Sequence, residues 1–139
     1  LAGVFLGPVW GAASMVIYVV AGAVGAPVFA YGSAGLGSLF GQWGGYLWSY
    51  PFAAAVVGAG VHGAGDLVDP GSVGLDRLVG AMTVGTVVIY AFGSVGYALV
   101  GEVSFVTAVL AAAVPFIPAE AIKAAATVAI VRSDSVVAR

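Results

Sequence analysis

The chain alternates long apolar runs with short breaks that are rich in glycine and proline. No Asp, Glu, Lys or Arg occurs from residue 1 to residue 65, and a second uncharged run covers residues 78–101. Both runs are longer than the ~20 residues that a helix needs to cross a bilayer. Only 7% of the residues are charged, which is too few for a surface that faces water, since a soluble domain carries about 25%. The pattern therefore predicts an all-α membrane protein, a polytopic helical bundle.

The breaks divide the chain into an N-terminal stub and about four full spans. The stub is residues 1–6, the last turns of a helix that Gly7-Pro8 ends. The predicted spans are residues 9–24, 45–61, 78–100 and 104–132, and two prolines interrupt the last one. We interpret residues 1–139 as a single transmembrane domain. Because the chain begins with Leu and its first residues already resemble the end of an apolar helix, we expect an N-terminal truncation.

The basic residues near the span ends predict the orientation of the bundle, because they favour the cytoplasmic side. Arg132 and Arg139 place the C-terminus in the cytoplasm, and the polar loop 62–77 with Arg77 then lies on the same side. The Gly-rich segment 25–44 and the connection before the last helix face outside. This predicts an outward-facing pocket at the end where these segments meet.

The most informative charges are Glu120 and Lys123, three residues apart just after the two prolines. Ionisable groups at that depth are costly unless they are used. Residues at this spacing are neighbours on a helix, so the two side chains can form a mutual ion pair. Alternatively, Lys123 binds an anion such as a ligand carboxylate, while Glu120 accepts N–H groups; the start of a helix also favours an anion. The sequence leaves both interpretations open.

Two further segments have two interpretations each. The Gly-rich stretch 29–43 is either an ordinary connection or a lid over a ligand cavity, since irregular backbone survives in a membrane only where protein or water satisfies it. The aromatic cluster that starts at Trp43 is either an interfacial belt or a stacking wall for a flat ligand. The candidate ligand-binding residues are Glu120, Lys123, Tyr46, Trp43, Tyr31, Ser33 and Tyr90.

Composition argues against catalysis, metals and nucleic acid. There is no Cys, and a single histidine, His62, cannot build a metal site alone and is expected at a helix end. An intramembrane enzyme would need His62 beside Ser33, Ser49 or Ser94, and nothing in the sequence brings them together. Four basic residues are too few for a nucleic-acid surface. We expect no enzyme and no cofactor.

Several motifs, in the right order, cover nearly the whole chain. They are the run Leu1 to Pro8, Gly25-Ala-Pro-Val-Phe-Ala, Gly44-Gly45-Tyr46-Leu47, Pro51-Phe-Ala-Ala, and Pro115-Phe-Ile-Pro followed by Lys123. With them the chain resembles the BioY family of biotin transporters, the substrate-capture (S) components of energy-coupling factor transporters. It differs in reading Pro118-Ala119-Glu120 where the family usually has Pro-Gly-Asp, and Gly41-Gln42-Trp43 where the family usually has Gly-Pro-Thr.

The resemblance implies a six-helix fold in the cell membrane and a biotin site near the outer face. It also implies partners, namely an energy-coupling membrane subunit and ATPase subunits, because the chain has no Walker motif of its own. Compared with the family, the chain lacks the first helix and most of the second. The alternatives are an S component for another vitamin, which would bind a different ring compound, and a structural subunit, which would tolerate loss of both Glu120 and Lys123.

Overall fold

The computed structural model describes residues 1–133, which form helices and their connections without any strand. Six α-helices follow one another: α1 (Ala2–Ala23), α2 (Leu36–Phe40), α3 (Gly44–His62), α4 (Leu75–Gly101), α5 (Phe105–Ala112) and α6 (Ile117–Arg132). Short 3-10 turns occur at Ala30–Gly32, Pro70–Ser72 and Val114–Phe116. The predicted all-α class is confirmed. Residue 139, used above for the orientation, lies outside the described residues.

The predicted break at Gly7-Pro8 divides α1 into two parts. Gly7 has φ +78° and ψ −176°, which is not helical and is accessible at low cost to glycine. A Cβ added to Gly11 would lie 2.9 Å from the Cα of Gly3, a distance that one straight helix could not bring about. The chain therefore folds back at Gly7, and residues 2–6 pack beside the helix that follows.

Glycines also allow α1 and α3 to touch backbone to backbone. A Cβ at Gly58 would lie 2.3 Å from the nitrogen of Pro8, and a Cβ at Gly3 would lie 2.3 Å from the oxygen of Ala54. Such close approach is the reason why small residues recur at membrane helix contacts. Gly3, Gly7 and Gly11 are four residues apart, and together they allow both the turn at Gly7 and the close contact with α3.

Helix α3 is the central element of the bundle, since it packs against both α1 and α4. Within residues 1–133, three segments have the length and apolar composition to cross a membrane: Ala2–Ala23, Leu75–Gly101 and Phe105–Arg132. The predicted span 45–61 forms α3 but is not among them. Its first half carries Tyr46, Trp48, Ser49 and Tyr50 in place of aliphatic side chains. Tyr46 and Tyr50 line an interior cavity, and Trp48 packs against Phe40 of α2.

His62 ends α3, as predicted, and its side chain is buried. Its Nε2 lies 2.7 Å from the carbonyl oxygen of Val4, and its Nδ1 accepts the backbone N–H of Val68 at 3.1 Å. Both ring nitrogens are therefore engaged, one as donor and one as acceptor. His62 ties the folded-back N-terminal residues to the loop after α3.

Two arginines hold the same end of the bundle together. Arg77 donates to the carbonyl oxygen of Gly60 at 2.7 Å, near the C-terminus of α3. Arg132, at the end of α6, donates to the carbonyl oxygens of Gly71 and Val73 at 2.6 and 2.7 Å. The helix ends and the connecting loop thus form one structural unit, at the opposite end of α6 from Glu120.

Candidate functional site

A cavity of about 1250 Å³ runs between the helices. Residues of α1, α2, α3, α4 and α6 line it, together with residues of the Gly-rich segment before α2. Its volume exceeds the ~300–1,000 Å³ typical of pockets for small ligands, so a vitamin-sized molecule has room within it.

All seven candidate residues from the sequence line this one cavity: Glu120, Lys123, Tyr46, Trp43, Tyr31, Ser33 and Tyr90. They come from α3, α4, α6 and the Gly-rich segment, which are far apart in the chain. The expected convergence of these segments is therefore observed. That each of them binds a ligand stays a prediction.

The two charges of α6 form an ion pair in this structure. Lys123 Nζ lies 2.9 Å from Glu120 Oε1. The Lys123 side chain is 71% exposed, whereas that of Glu120 is only 23% exposed. The same oxygen, Oε1, also accepts a hydrogen bond of 2.9 Å from the hydroxyl group of Tyr90 on α4. The pair is thus anchored at its carboxylate, and its ammonium group is accessible.

Four aromatic rings form a closed cycle beside this pair, which we call the aromatic wall: Trp43, Tyr46, Tyr90 and Phe116. Their centroids are 5.7 Å apart for Trp43–Tyr46, 5.6 Å for Tyr46–Tyr90, 6.4 Å for Tyr90–Phe116 and 6.2 Å for Trp43–Phe116. These separations are those of stacked and edge-to-face aromatic pairs. The hydroxyl group of Tyr46 donates to the carbonyl oxygen of Ala112 on α5, which fixes this wall to the connection before α6.

The aromatic cluster at the start of α3 therefore has two parts. Trp43 and Tyr46 line the cavity, as a stacking wall requires. Trp48 packs against Phe40 instead and donates from its ring nitrogen to the carbonyl oxygen of Leu39 at 3.0 Å. The geometry is thus compatible with a stacking wall at Trp43 and Tyr46, whereas an interfacial belt at Trp48 stays a prediction.

The Gly-rich segment borders the cavity and is anchored at its ends. The ring of Phe29 is buried against Gly22 of α1, where an added Cβ would lie 2.1 Å from the ring. The N–H of Gly35 donates to the carbonyl oxygen of Gly22 at 2.7 Å. Between these anchors Tyr31 is fully exposed and has φ +59°, in the left-handed region that few side chains adopt. A projecting tip between two anchors is an arrangement that suits a lid, and the interpretation as a lid stays a prediction.

Several polar residues outside the list of candidates also line the cavity: Tyr18, Gln42, Tyr50, Thr86 and Thr127. Gln42 had a recognisable signal, since it is the only side-chain amide in the sequence and stands inside an uncharged run. The threonines had none, because a threonine within an apolar helix commonly bonds its own backbone. Thr127 does so, donating to the carbonyl oxygen of Lys123 at 2.8 Å.

The residues required by an intramembrane enzyme do not come together. His62 has both ring nitrogens bonded to backbone groups at the other end of the bundle. Ser49 donates to the carbonyl oxygen of Tyr46, and Ser33 lies in the Gly-rich segment. Within residues 1–133 no three His, Cys, Asp or Glu side chains are grouped in a way that could hold a metal ion.

Fold and site together define a helical membrane protein whose charged, aromatic-walled cavity has room for a small ligand. The profile of the BioY family matches residues 1–138. A probable biotin transporter BioY of Pyrococcus horikoshii is 35% identical over 130 residues, which are 94% of this chain and 71% of that relative. The biotin transporter BioY of Rhizobium etli is 36% identical over 128 residues, which are 89% and 66% of the two chains.

A solved structure has the same fold. It is the S-component for biotin from an ECF-type ABC transporter, with a TM-score of 0.82 and 25% identity, and the match covers 95% of this chain and 68% of that one. The chain thus belongs to the BioY family, as its motifs predicted, and spans about two thirds of the length of these relatives. BioY proteins are membrane transporter components and not enzymes, so the interpretation as an enzyme is set aside.

Proposed function

We propose that this chain is the membrane-embedded, biotin-binding part of an uptake system in the cell membrane, which it crosses several times. The observation that carries the proposal is the cavity in which the Glu120–Lys123 pair lies beside the aromatic wall. Biotin transporters among its relatives and an S-component for biotin with the same fold support the choice of ligand.

The chemistry of the site is complementary to a ring compound that carries a carboxylate. The exposed ammonium group of Lys123 is available to pair with that carboxylate, and the carboxylate of Glu120 can accept N–H groups of the ring. Tyr46, Tyr90 and Trp43 offer ring faces and edges for packing. Biotin has each of these groups: a carboxylate, a compact ring system and two ureido N–H donors.

Because the sequence contains no nucleotide-binding motif, uptake is either facilitated transport or takes its energy from other subunits. We propose that an energy-coupling membrane subunit and ATPase subunits supply it, by analogy with the ECF-type transporter to which the related S-component belongs. The basic residues at the end of the bundle opposite Glu120 support a cytoplasmic position for that end and an outward-facing cavity.

The test is equilibrium binding of biotin to the purified protein in detergent. Trp10→Phe and Trp48→Phe together leave Trp43, which lines the cavity, as the tryptophan reporter within this chain. We expect a saturable fluorescence change that unlabelled biotin competes and that thiamine or riboflavin does not. Binding of another vitamin instead of biotin would redirect the proposal to that vitamin. If a folded sample binds no ring compound, the chain is better described as a structural subunit.

A further inference from the structure

We propose that Tyr90 is a positioning residue. Its hydroxyl group holds the Glu120 carboxylate so that only Oε2 is open to the ligand. This arrangement selects a ligand group that donates an N–H. This inference rests on the proposed function, because it assigns part of the selectivity of that same site.

The geometry divides the two carboxylate oxygens of Glu120 into different roles. Oε1 accepts both the hydroxyl group of Tyr90 and the ammonium group of Lys123, each at 2.9 Å. No other group within residues 1–133 donates to Glu120. An ionised carboxylate is an acceptor at both oxygens. The remaining oxygen can therefore interact only with a donor, and a ligand acceptor or a second carboxylate at this place is repelled.

Tyr90 is the more rigid of the two donors. Its ring lies edge-on to Tyr46, with an interplanar angle of 83°, and is stacked on Phe116 at 30°. Lys123 is 71% exposed on a long flexible side chain, and exposed ion pairs restrict their partners weakly. A carboxylate needs a partner of fixed position if it is to present one oxygen in a defined direction. Tyr90 supplies that partner from a different helix.

The packing of α6 makes this contact important. Among its described residues only Thr127 and Val131, in the second half of the helix, are buried. The first half, which carries Glu120, is instead linked to α4 through Tyr90. We infer that loss of the Tyr90 hydroxyl group frees the carboxylate to take several positions, while the ring and its packing remain.

The test replaces Tyr90→Phe, with Tyr97→Phe as the matched control. Tyr97 is also on α4, and its ring packs against Trp43 at 5.3 Å, so both variants lose one phenol oxygen and keep a ring. We expect Tyr90→Phe to weaken biotin binding about tenfold, the usual effect of losing one hydrogen bond to a charged group. The ratio of the affinities of this variant for biotin and for an analogue with methylated ureido nitrogens should also decrease. Tyr97→Phe should change neither quantity.

A double-mutant cycle separates positioning from direct contact with the ligand. If Tyr90 acts through Glu120, Tyr90→Phe has little further effect in a Glu120→Ala background. An effect of the same size in both backgrounds would show that Tyr90 touches biotin itself, and equal affinities of the Tyr90→Phe and Tyr97→Phe proteins would also overturn the inference.

An infrared measurement without ligand keeps the inference testable if biotin does not bind. The carboxylate band that disappears in Glu120→Gln identifies Glu120. We expect this band to shift in Tyr90→Phe and not in Tyr97→Phe. An unshifted band refutes the positioning role whatever the ligand is, whereas absence of biotin binding with a shifted band refutes only the proposed function.

Discussion

Substitution of Lys123 by methionine separates binding from stability most clearly. Methionine retains an unbranched apolar side chain and removes the ammonium group, so the packing on α6 changes little. In the ligand-free protein Lys123 is 71% exposed and paired with Glu120 at 2.9 Å. An exposed ion pair contributes about 0–1 kcal/mol to folding. We therefore expect the thermal stability of the Lys123→Met protein to differ little from that of its parent.

Binding should respond much more strongly. If Lys123 pairs with the carboxylate of biotin, and the bound ligand shields this pair from water, removal of Lys123 leaves a buried carboxylate without a partner. Truncating one member of such a pair costs about 2–5 kcal/mol, which corresponds to a roughly 30-fold or larger loss of affinity. A large loss of biotin affinity with little loss of thermal stability is what distinguishes a ligand partner from a structural ion pair.

The assay measures both quantities on the same detergent-solubilised sample, by Trp43 fluorescence and by thermal unfolding. Lys123→Arg is the matched control, because it retains the charge. Biotin methyl ester provides a second control. The parent should bind this ester more weakly than biotin, and Lys123→Met should reduce the affinity for the ester little further. Unchanged biotin affinity in Lys123→Met would remove Lys123 from the site. A large loss of stability would show that the ion pair is structural.

Three further predictions concern the scaffold. Gly58→Ala would place a Cβ 2.3 Å from the backbone of Pro8 and should lower the free energy of unfolding by about 1–3 kcal/mol. In the control Gly80→Ala, the added Cβ has nothing within 4 Å, so this change should be neutral or stabilising. Equal unfolding temperatures of the two variants would contradict this. Gly22→Ala should displace the ring of Phe29 and so loosen the Gly-rich segment. We expect faster proteolysis of this segment and weaker biotin binding. An unchanged proteolysis rate and an unchanged affinity would show that Phe29 does not anchor the segment. Arg132→Met removes two hydrogen bonds to the loop before α4, so amide exchange in that loop should become faster. An unaltered exchange rate would show that the loop keeps its structure without Arg132.

Much of the site could be predicted because it consists of exceptions to a simple pattern. In a chain with so few charges, Glu120 and Lys123 are conspicuous, and a charge in a membrane segment is costly unless it is used. The basic residues near the span ends then predicted that the Gly-rich segment and the start of α3 lie at the same end, and all seven candidates line the cavity. Polar residues that are common in apolar helices, such as Thr86, gave no comparable signal.

The amino-acid sequence by itself determined the helical membrane class, the break at Gly7 and the family, because these depend on local hydrophobicity, on backbone freedom and on motif order. Only the tertiary structure decided that α3 is the central helix and that Tyr90 reaches Glu120 across 30 positions of the chain. Such contacts depend on how closely the helices approach each other. At Gly3 and Gly58 that approach is set by the absence of a single Cβ atom, and the periodicity of the sequence does not show which glycines touch another helix.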